Sequence, residues 1–344
     1  MRRYVPKILG RNGQVELGIK LALLLFAALL MSLDADLTFA PNAAAQAVSV
    51  TSVNEVAGHG NAAQGSLPAA TAEREEHHLP QKAVEIARPF GFPITNSMVV
   101  SWIVAVGLII FARIATRDMK DVPGGAQNFL EWLVAGLYDF LERIIGPRLV
   151  KRTFWFFATV FIFILSANWV GLIPGVGTIG WGHQTPNGFV VDQPFFRGAN
   201  ADLNLTLAMA LVFFAFWIVW ALAEVGPVGF LKELFAPKGE SAGLLKVLMI
   251  VVFFAAGWLE IISILFRPVS LSFRLYGNIF AGENMLETMS RKIPSLGWLL
   301  PIPFYFMELL VGLVQALVFM LLCAVFTLLI CQHHEEERPT SEHR

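Results

Sequence analysis

Long apolar runs separated by short charged loops dominate the chain. Runs of about 18 residues or more, long enough to cross a bilayer as helices, occupy 97–115, 153–173 and 203–223. Two longer apolar runs follow at 244–290 and 296–331. At about 1.5 Å per residue, each of these exceeds the hydrocarbon core of roughly 30 Å. We therefore predict an all-α polytopic membrane protein with about five transmembrane helices, the last two long and tilted.

The run 244–290 contains Pro268, which leaves two interpretations of its path. A continuous helix places Arg291 and Lys292 outside, against the usual enrichment of basic residues in cytoplasmic loops, whereas a break at Pro268 places them inside. Neither turn glycines nor a polar loop flanks this proline, and neighbouring groups can satisfy the backbone around a proline in a membrane helix. We predict one long bent helix.

The basic residues of the loops predict the orientation. Among lysines and arginines, the loop 174–201 contains only Arg197, whereas the loop 224–246 contains three lysines. The periodic segment Phe129–Ile145 predicts a helix on the membrane surface. Since basic loops face the cytoplasm, the loop between the first two spans and the loop 224–246 are predicted to be cytoplasmic. The polar tail 332–344 is also predicted to be cytoplasmic. The basic residues of the first loop are Arg113, Arg117, Lys120, Arg143, Arg148, Lys151 and Arg152.

Residues 1–47 have the pattern of a secretory signal peptide. Basic residues precede the apolar run Leu21–Leu33, and an A-x-A cleavage site follows at Ala45–Ala47. Cleavage would leave the mature amino terminus outside. An uncleaved anchor is the alternative, although the apolar run is short for a full span. Residues 48–96 are predicted to be a polar external linker, and its acidic, His-containing stretch 73–78 is interpreted as solvated rather than metal-binding.

Composition agrees with a membrane protein. Hydrophobic residues make up 56% of the 344 residues and charged residues 15%, the mean hydropathy is +0.62, and the net charge of −1 predicts no nucleic-acid partner. Cys323 and Cys331 lie in the last apolar run and are interpreted as core or lipid-facing residues rather than a disulfide or metal site. The H-E-x-x-H, P-loop and G-x-S-x-G motifs are absent from the sequence, so we predict no nucleotide site, cofactor or metal.

Arg274 lies within the run 244–290. A guanidinium at mid-membrane costs roughly 2.5–3.5 kcal/mol on insertion scales and keeps its charge, so we expect a carboxylate partner from another helix. At about 100° per residue, Asn278 shares the face of Arg274 and Glu283 points nearly opposite. Arg274 is therefore predicted to meet a partner surface, and Glu283 to line a separate hydrated cavity.

A polar stripe follows one face of the last apolar run. Glu308, Gly312 and Gln315 fall on this face because steps of four and seven residues return a helix to about the same side. Carboxylates within a span are costly, so Glu308, Glu260 and Glu283 are each predicted to be functional.

Other polar residues have less distinctive patterns. Ser263 lies three residues after Glu260, and Arg267 lies four residues after Ser263. Asp202 and Asn204 lie at the outer end of the third span. Ser263 and Asn204 have the alternative role of hydrogen bonding between packed helices. Asp202 occupies the position expected of a helix N-cap, which is an equal alternative to a functional role.

The chain resembles subunit a of F-type ATP synthases, the stator that carries protons past the rotating ring of c subunits, in the string S-L-S-F-R-L-Y-G-N-I-F-A-G-E at 270–283. The resemblance covers about 97–331 and excludes the signal-like extension. It includes Val122–Gly124, Asn200–Leu207, Gly229–Glu233, Glu260 eight residues before Pro268, and Gln315–Met320.

The resemblance implies roles for individual residues. Arg274 occupies the position of the essential arginine that pairs with a carboxylate of the c ring. Glu308 stands where many bacterial members have histidine, paired with the position of Glu283. Two nearby carboxylates suit a proton relay or a bound cation, and both alternatives stay open. The implied outer pathway consists of Asn278, Glu283, Glu308, Gln315, Asp202 and Asn204, and the implied inner pathway of Glu260 and Ser263.

The resemblance also implies partners: the c-subunit ring, the b subunits of the peripheral stalk and the rest of the complex. It places the chain in the bacterial inner membrane with the mature amino terminus outside and the carboxyl terminus in the cytoplasm. The main alternative is a secondary transporter that binds an anionic solute through Arg274 and the glutamates, although the sequence contains no evident inverted repeat. A membrane-embedded enzyme is a further alternative, and the coupling ion can be a proton or sodium.

Overall fold

A computed structural model describes residues 84–88, 94–117, 119–120, 122–173, 175–176, 179–185, 188–235, 244–292 and 299–336. The predicted signal peptide, most of the predicted linker and the end of the polar tail lie outside these residues.

A small hairpin leads into the first helix. Strand β1 (Glu85–Ala87) pairs antiparallel with strand β2 (Ile94–Thr95), and helix α1 (Asn96–Thr116) follows directly. The Thr95 side chain caps α1 by accepting a hydrogen bond from the backbone N–H of Met98 at 3.4 Å. The predicted linker therefore contains regular structure immediately before the first span.

Helix α2 (Gly125–Gly171) is interrupted at Gly146, whose φ of 79° and ψ of 161° are not helical. This conformation is essentially confined to glycine. Pro147 follows and opens the second segment, where proline loses no hydrogen bond because the first helical N–H groups have no partner within the helix. The helix predicted over 129–145 and the span predicted over 153–173 are both confirmed, and the structure joins them at this kink.

A second hairpin and a short turn connect α2 to the third span. Strands β3 (Gly180–Thr185) and β4 (Gly188–Pro194) pair antiparallel, a 3₁₀ turn occupies Ala199–Ala201, and helix α3 runs over Leu203–Val225. This hairpin is not predictable from the sequence, because the segment GWGHQT lacks the alternation of β-branched and polar residues that indicates a strand.

Three helices complete the described chain: α4 (Pro227–Phe235), α5 (Leu244–Lys292) and α6 (Pro301–Glu336). Helix α5 has 49 residues and continues through Pro268, which confirms the prediction of one element. At about 1.5 Å per residue its path measures roughly 74 Å. Helix α6 extends through 332–336, so the first part of the predicted tail is helical.

The core lies between α2, α3 and the second half of α6. Helix α2 packs most extensively against α6, and α3 packs against α5. Cys323 of α6 is buried, which is one of the two environments predicted for it. Aromatic rings fill the contact between α2 and α3: Trp155, Phe156, Phe157, Phe213, Phe216 and Trp220.

Five of the described helices are long and apolar enough to span a membrane: α1, α2, α3, α5 and α6. The all-α polytopic class is thereby confirmed, with two small hairpins added. Helix α5 differs from the other four because only 11% of its most apolar part is buried inside the protein, against 33% to 56% in the others. This helix therefore presents a long apolar face to its surroundings.

Candidate functional site

Asp202 joins the beginnings of α3 and α1. Its carboxylate accepts a hydrogen bond from the backbone N–H of Asn204 at 2.9 Å and caps α3, so the predicted N-cap role is confirmed. The Ser97 hydroxyl donates to the same carboxylate at 2.7 Å, a contact that the sequence did not indicate. The side chain of Asn204 is exposed. Asp202 therefore has structural partners that account for its burial.

An asparagine pair anchors the 3₁₀ turn to two helices. The Asn200 amide donates to Asn168 Oδ1 at 2.6 Å, and the Asn168 amide donates to the Gly312 carbonyl at 3.0 Å. Both asparagines are buried, and a Cβ at Gly312 would lie 3.2 Å from Asn168 Cβ. Gly312 thus permits the close approach of α2 and α6. Asn168 is not among the predicted site residues, because a lone asparagine in a span has no distinctive spacing.

Arg197 forms a buried ion pair with Glu283. The Arg197 Nε lies 3.4 Å from Glu283 Oε2, and the two side chains are 5% and 14% exposed. Gly198 leaves space for this carboxylate, since a Cβ there would collide with it. Arg197 is not among the predicted site residues, although it contributes to the predicted orientation. The signal that points to it is its isolation as the only basic residue of its loop.

Glu308 is buried beside α5. Its carboxylate lies against Gly282, where a Cβ would collide with it. Gly312 and Gln315 are also buried, so the predicted polar stripe faces the protein interior. Within the described part of the chain, the Glu308 carboxylate forms no hydrogen bond or ion pair. Glu308 therefore contacts α5 one residue before Glu283, but the partner of Glu283 is Arg197 rather than Glu308.

Asn278 and Gln315 connect α5 to α6. The Asn278 amide donates to Gln315 Oε1 at 2.8 Å, so the structure brings together two residues assigned to one pathway. Gln315 Nε2 is buried and has no hydrogen-bond partner among the residues that the structure describes. We call Arg197, Asn278, Glu283, Glu308 and Gln315 the Glu283 cluster.

Arg274 lies on the exposed surface of α5. Its neighbours Val269 and Phe273 are exposed apolar side chains, and Asn278 is exposed on the same helix. No hydrogen-bond acceptor or carboxylate among the described residues contacts the Arg274 guanidinium. The predicted separation of faces holds, because Glu283 turns inward to Arg197.

A second polar group lies towards the amino-terminal half of α5. The Arg267 guanidinium donates to Glu260 Oε1 at 2.8 Å, and its carbon lies 5.5 Å and 4.7 Å from the ring centres of Trp217 and Phe326. Glu260 and Ser263 are exposed. We call Glu260 and Arg267 the Glu260 pair.

The two polar groups are far apart along α5. Positions 260 and 283 are separated by about 35 Å of helix, and Arg274 lies between them, at about 1.5 Å per residue. Within the described ranges, no group of three or more His, Cys, Asp or Glu side chains is arranged to hold a metal ion. The arrangement is therefore two separate polar groups on either side of one exposed arginine.

The family model described as ATP synthase A chain matches residues 98–327, about two thirds of the chain. The chain belongs to this family. The ATP synthase A chain match contains every residue of the Glu283 cluster, the Glu260 pair and Arg274. It confirms the resemblance that the string at 270–283 indicates.

Similar proteins of this family are named ATP synthase subunit a. The protein from Trichlorobacter lovleyi is 34% identical over 232 residues, which are 67% of this chain and 85% of the relative. The protein from Solidesulfovibrio magneticus is 32% identical over 233 residues, which are 68% and 83%. The protein from Geobacter sulfurreducens is 32% identical over 231 residues, which are 67% and 85%.

Proposed function

We propose that this chain is the stator subunit of the proton channel in an F-type ATP synthase, where it couples proton flow to rotation of the c ring. Arg274 is the observation that carries the proposal, because its guanidinium lies on an exposed apolar face and contacts no carboxylate among the described residues. A guanidinium within a membrane keeps its charge and needs a counter-charge. A carboxylate on a helix of the c ring would supply it.

In this proposal, protons enter from the outer side along the Glu283 cluster, with Asp202 and Asn204 at the entrance. They neutralise a ring carboxylate, and the neutral site can then move into lipid at a much lower cost than the charged form. Glu308 of α6 lies against Gly282, the residue that precedes Glu283 on α5, and this proximity supports a shared pathway. The two carboxylates can accept and release protons, and the two amides can form hydrogen bonds with water along the pathway.

Protons leave on the inner side near Glu260 and Ser263, both exposed on α5. About 35 Å of helix separates Glu260 from Glu283, which is farther than any single side chain can reach. Arg274 stands between the two pathways, and its charge opposes the direct passage of a proton from one to the other. A proton that crosses must therefore travel on the ring. Each charge that moves across 100 mV supplies about 2.3 kcal/mol.

The exposed apolar face of α5 and α6 is the surface that we assign to the c ring. Exposure of this apolar face to water would be unfavourable, and α5 is the least buried of the five spans. The proposal also places the b subunits of the peripheral stalk and the rest of the complex around this chain, in a bacterial inner membrane. The mature amino terminus would lie outside and the carboxyl terminus in the cytoplasm. Large exposed residues of the face include Leu259, Ile262, Leu265, Phe266, Phe273 and Leu310.

The test is ATP-driven proton pumping by the assembled complex in membrane vesicles. Arg274→Ala should abolish pumping, because the ring carboxylate loses its counter-charge and the barrier between the pathways disappears. Arg113→Gln is the matched control, since Arg113 is an exposed arginine in the last turn of α1. Pumping at the normal rate by Arg274→Ala, with normal amounts of complex, would contradict the proposal.

A further inference from the structure

We propose that Arg197 is a positioning residue of the outer proton pathway, which holds the Glu283 carboxylate in one place against Gly198. This inference rests on the proposed function, since that function assigns Glu283 to the pathway. Arg197 is not assigned to contact the ring or to carry a proton. Its role is to supply a fixed counter-charge that determines where the Glu283 carboxylate lies.

The geometry around the ion pair supports a fixed position. The Arg197 Nε lies 3.4 Å from Glu283 Oε2, and the guanidinium carbon lies 5.7 Å from the centre of the Phe280 ring. An arginine over an aromatic face gains a cation–π attraction in addition to the ion pair. The other carboxylate oxygen, Oε1, lies against Gly198, where a Cβ would collide with it. One carboxylate oxygen therefore contacts a guanidinium, and the other lies against the backbone of Gly198.

The segment that carries Arg197 is itself held at both ends. On one side, the Phe195 N–H donates to the Ile179 carbonyl at 2.8 Å. On the other, Asn200 donates to Asn168, and Ser97 donates to Asp202. These hydrogen bonds connect the segment to the β3 end of the hairpin, to α2 and to α1. A side chain presented by an anchored backbone can hold its partner within the small tolerance that a proton pathway requires.

The ion pair distinguishes the two glutamates. Glu283 has a fixed cation beside it, whereas Glu308 lies against Gly282 without an ion pair among the described residues. Loss of the guanidinium would leave a buried carboxylate without its counter-charge, which is costly in a medium of low dielectric constant. We expect the Glu283 side chain to leave its site in that case, even though its own chemistry is unchanged.

The test compares proton pumping by complexes with substitutions at the two residues that contact the carboxylate, normalised to the amount of complex. Arg197→Gln should lower pumping about tenfold or more, since small displacements of a reacting group have effects of this order. Gly198→Ala should have a similar effect because its methyl group displaces the Glu283 carboxylate. Arg197→Lys should restore part of the rate. Arg113→Gln and Gly136→Ala are the controls, the latter because a Cβ at Gly136 meets no atom within 4 Å.

A double substitution provides a readout that a general packing defect would not reproduce. If Arg197 acts through Glu283, the pair Arg197→Gln/Glu283→Gln should pump no more slowly than the slower single variant. Independent defects would instead multiply. A multiplied loss, or an Arg197→Lys rate no higher than that of Arg197→Gln, would overturn the inference.

The outcomes also separate this inference from the proposed function. Normal pumping by Glu283→Gln would contradict the assignment of the outer pathway. A slow Glu283→Gln complex together with a normal Arg197→Gln complex would overturn only the role of Arg197. If Arg197→Gln fails to assemble, the pumping rate of Gly198→Ala tests the inference instead, because this variant retains the guanidinium. Pumping by Gly198→Ala at the rate of the Gly136→Ala control would then overturn the inference.

Discussion

The Asn278 amide donates a 2.8 Å hydrogen bond to Gln315 Oε1 and thereby joins α5 to α6. Asn278 is exposed and Gln315 is buried, so the bond runs from the surface of α5 into the interior. The bond connects the face of α5 that carries Arg274 to the face of α6 that carries Glu308. In the proposed function, this amide pair lies on the route of a proton from the interior to the exposed face.

We expect Gln315→Leu to lower proton pumping while changing the stability of the complex little. Hydrogen bonds between membrane helices contribute on average about 0.6 kcal/mol, which is too small to unfold the packed helices. The amide is nevertheless part of the proposed pathway. Pumping rate and the thermal dissociation temperature should be measured on the same preparation. Unchanged pumping alongside a large drop in that temperature would contradict this assignment.

Gly282→Ala should lower pumping because its methyl group would occupy the place of the Glu308 carboxylate. Adding Glu308→Asp shortens the opposing side chain by one methylene and should restore part of the rate. Gly107→Ala in α1 is the matched control, since a Cβ at Gly107 meets no atom within 4 Å. An equal loss in both glycine variants, or no recovery in the double variant, would show that the contact with Glu308 is not the cause.

Gly146→Ala should destabilise the chain by roughly 1–3 kcal/mol, the cost of a non-glycine residue in this backbone region. A Cβ at Gly146 meets no atom within 4 Å, so the cost arises from the backbone rather than from a clash. The measurement is the thermal unfolding of the purified complex, with Gly136→Ala as the control. Equal unfolding temperatures for the two variants would argue against a required kink at this position.

Arg267→Ala should lower stability by about 1 kcal/mol, since it removes an ion pair and a cation–π contact that are only partly shielded from solvent. Arg267 lies over Trp217 and Phe326 while it pairs with Glu260, whose side chain is 50% exposed. Glu260→Gln should cost less, because the aromatic contacts of Arg267 are retained. Thermal unfolding of the two variants measures the difference. A larger loss for Glu260→Gln than for Arg267→Ala would reverse this account.

The sequence predicts the spans well because membrane helices have a strong, local signal. The runs at 97–115 and 203–223 became α1 and α3 with ends shifted by one or two residues. The continuity of α5 through Pro268 was also predictable, since a membrane proline without flanking turn residues does not require a break.

The sequence does not predict contacts that depend on which helices become neighbours. Helical periodicity predicts that Glu283 faces away from Arg274, but not that Arg197, 86 residues earlier in the chain, lies beside it. The Asn168–Asn200 bond is missed for the same reason, because its two residues belong to different elements. Side-chain direction follows from local geometry, whereas the partner follows from tertiary packing.

The most direct test of the central claim is a cryo-electron microscopy structure of the assembled membrane sector. Our account predicts that the Arg274 guanidinium faces a carboxylate on a ring helix, with water reaching the Glu283 cluster from one side of the membrane and the Glu260 pair from the other. An Arg274 side chain that faces lipid or bulk solvent with no ring helix beside it, or a single continuous water channel past it, would contradict the account.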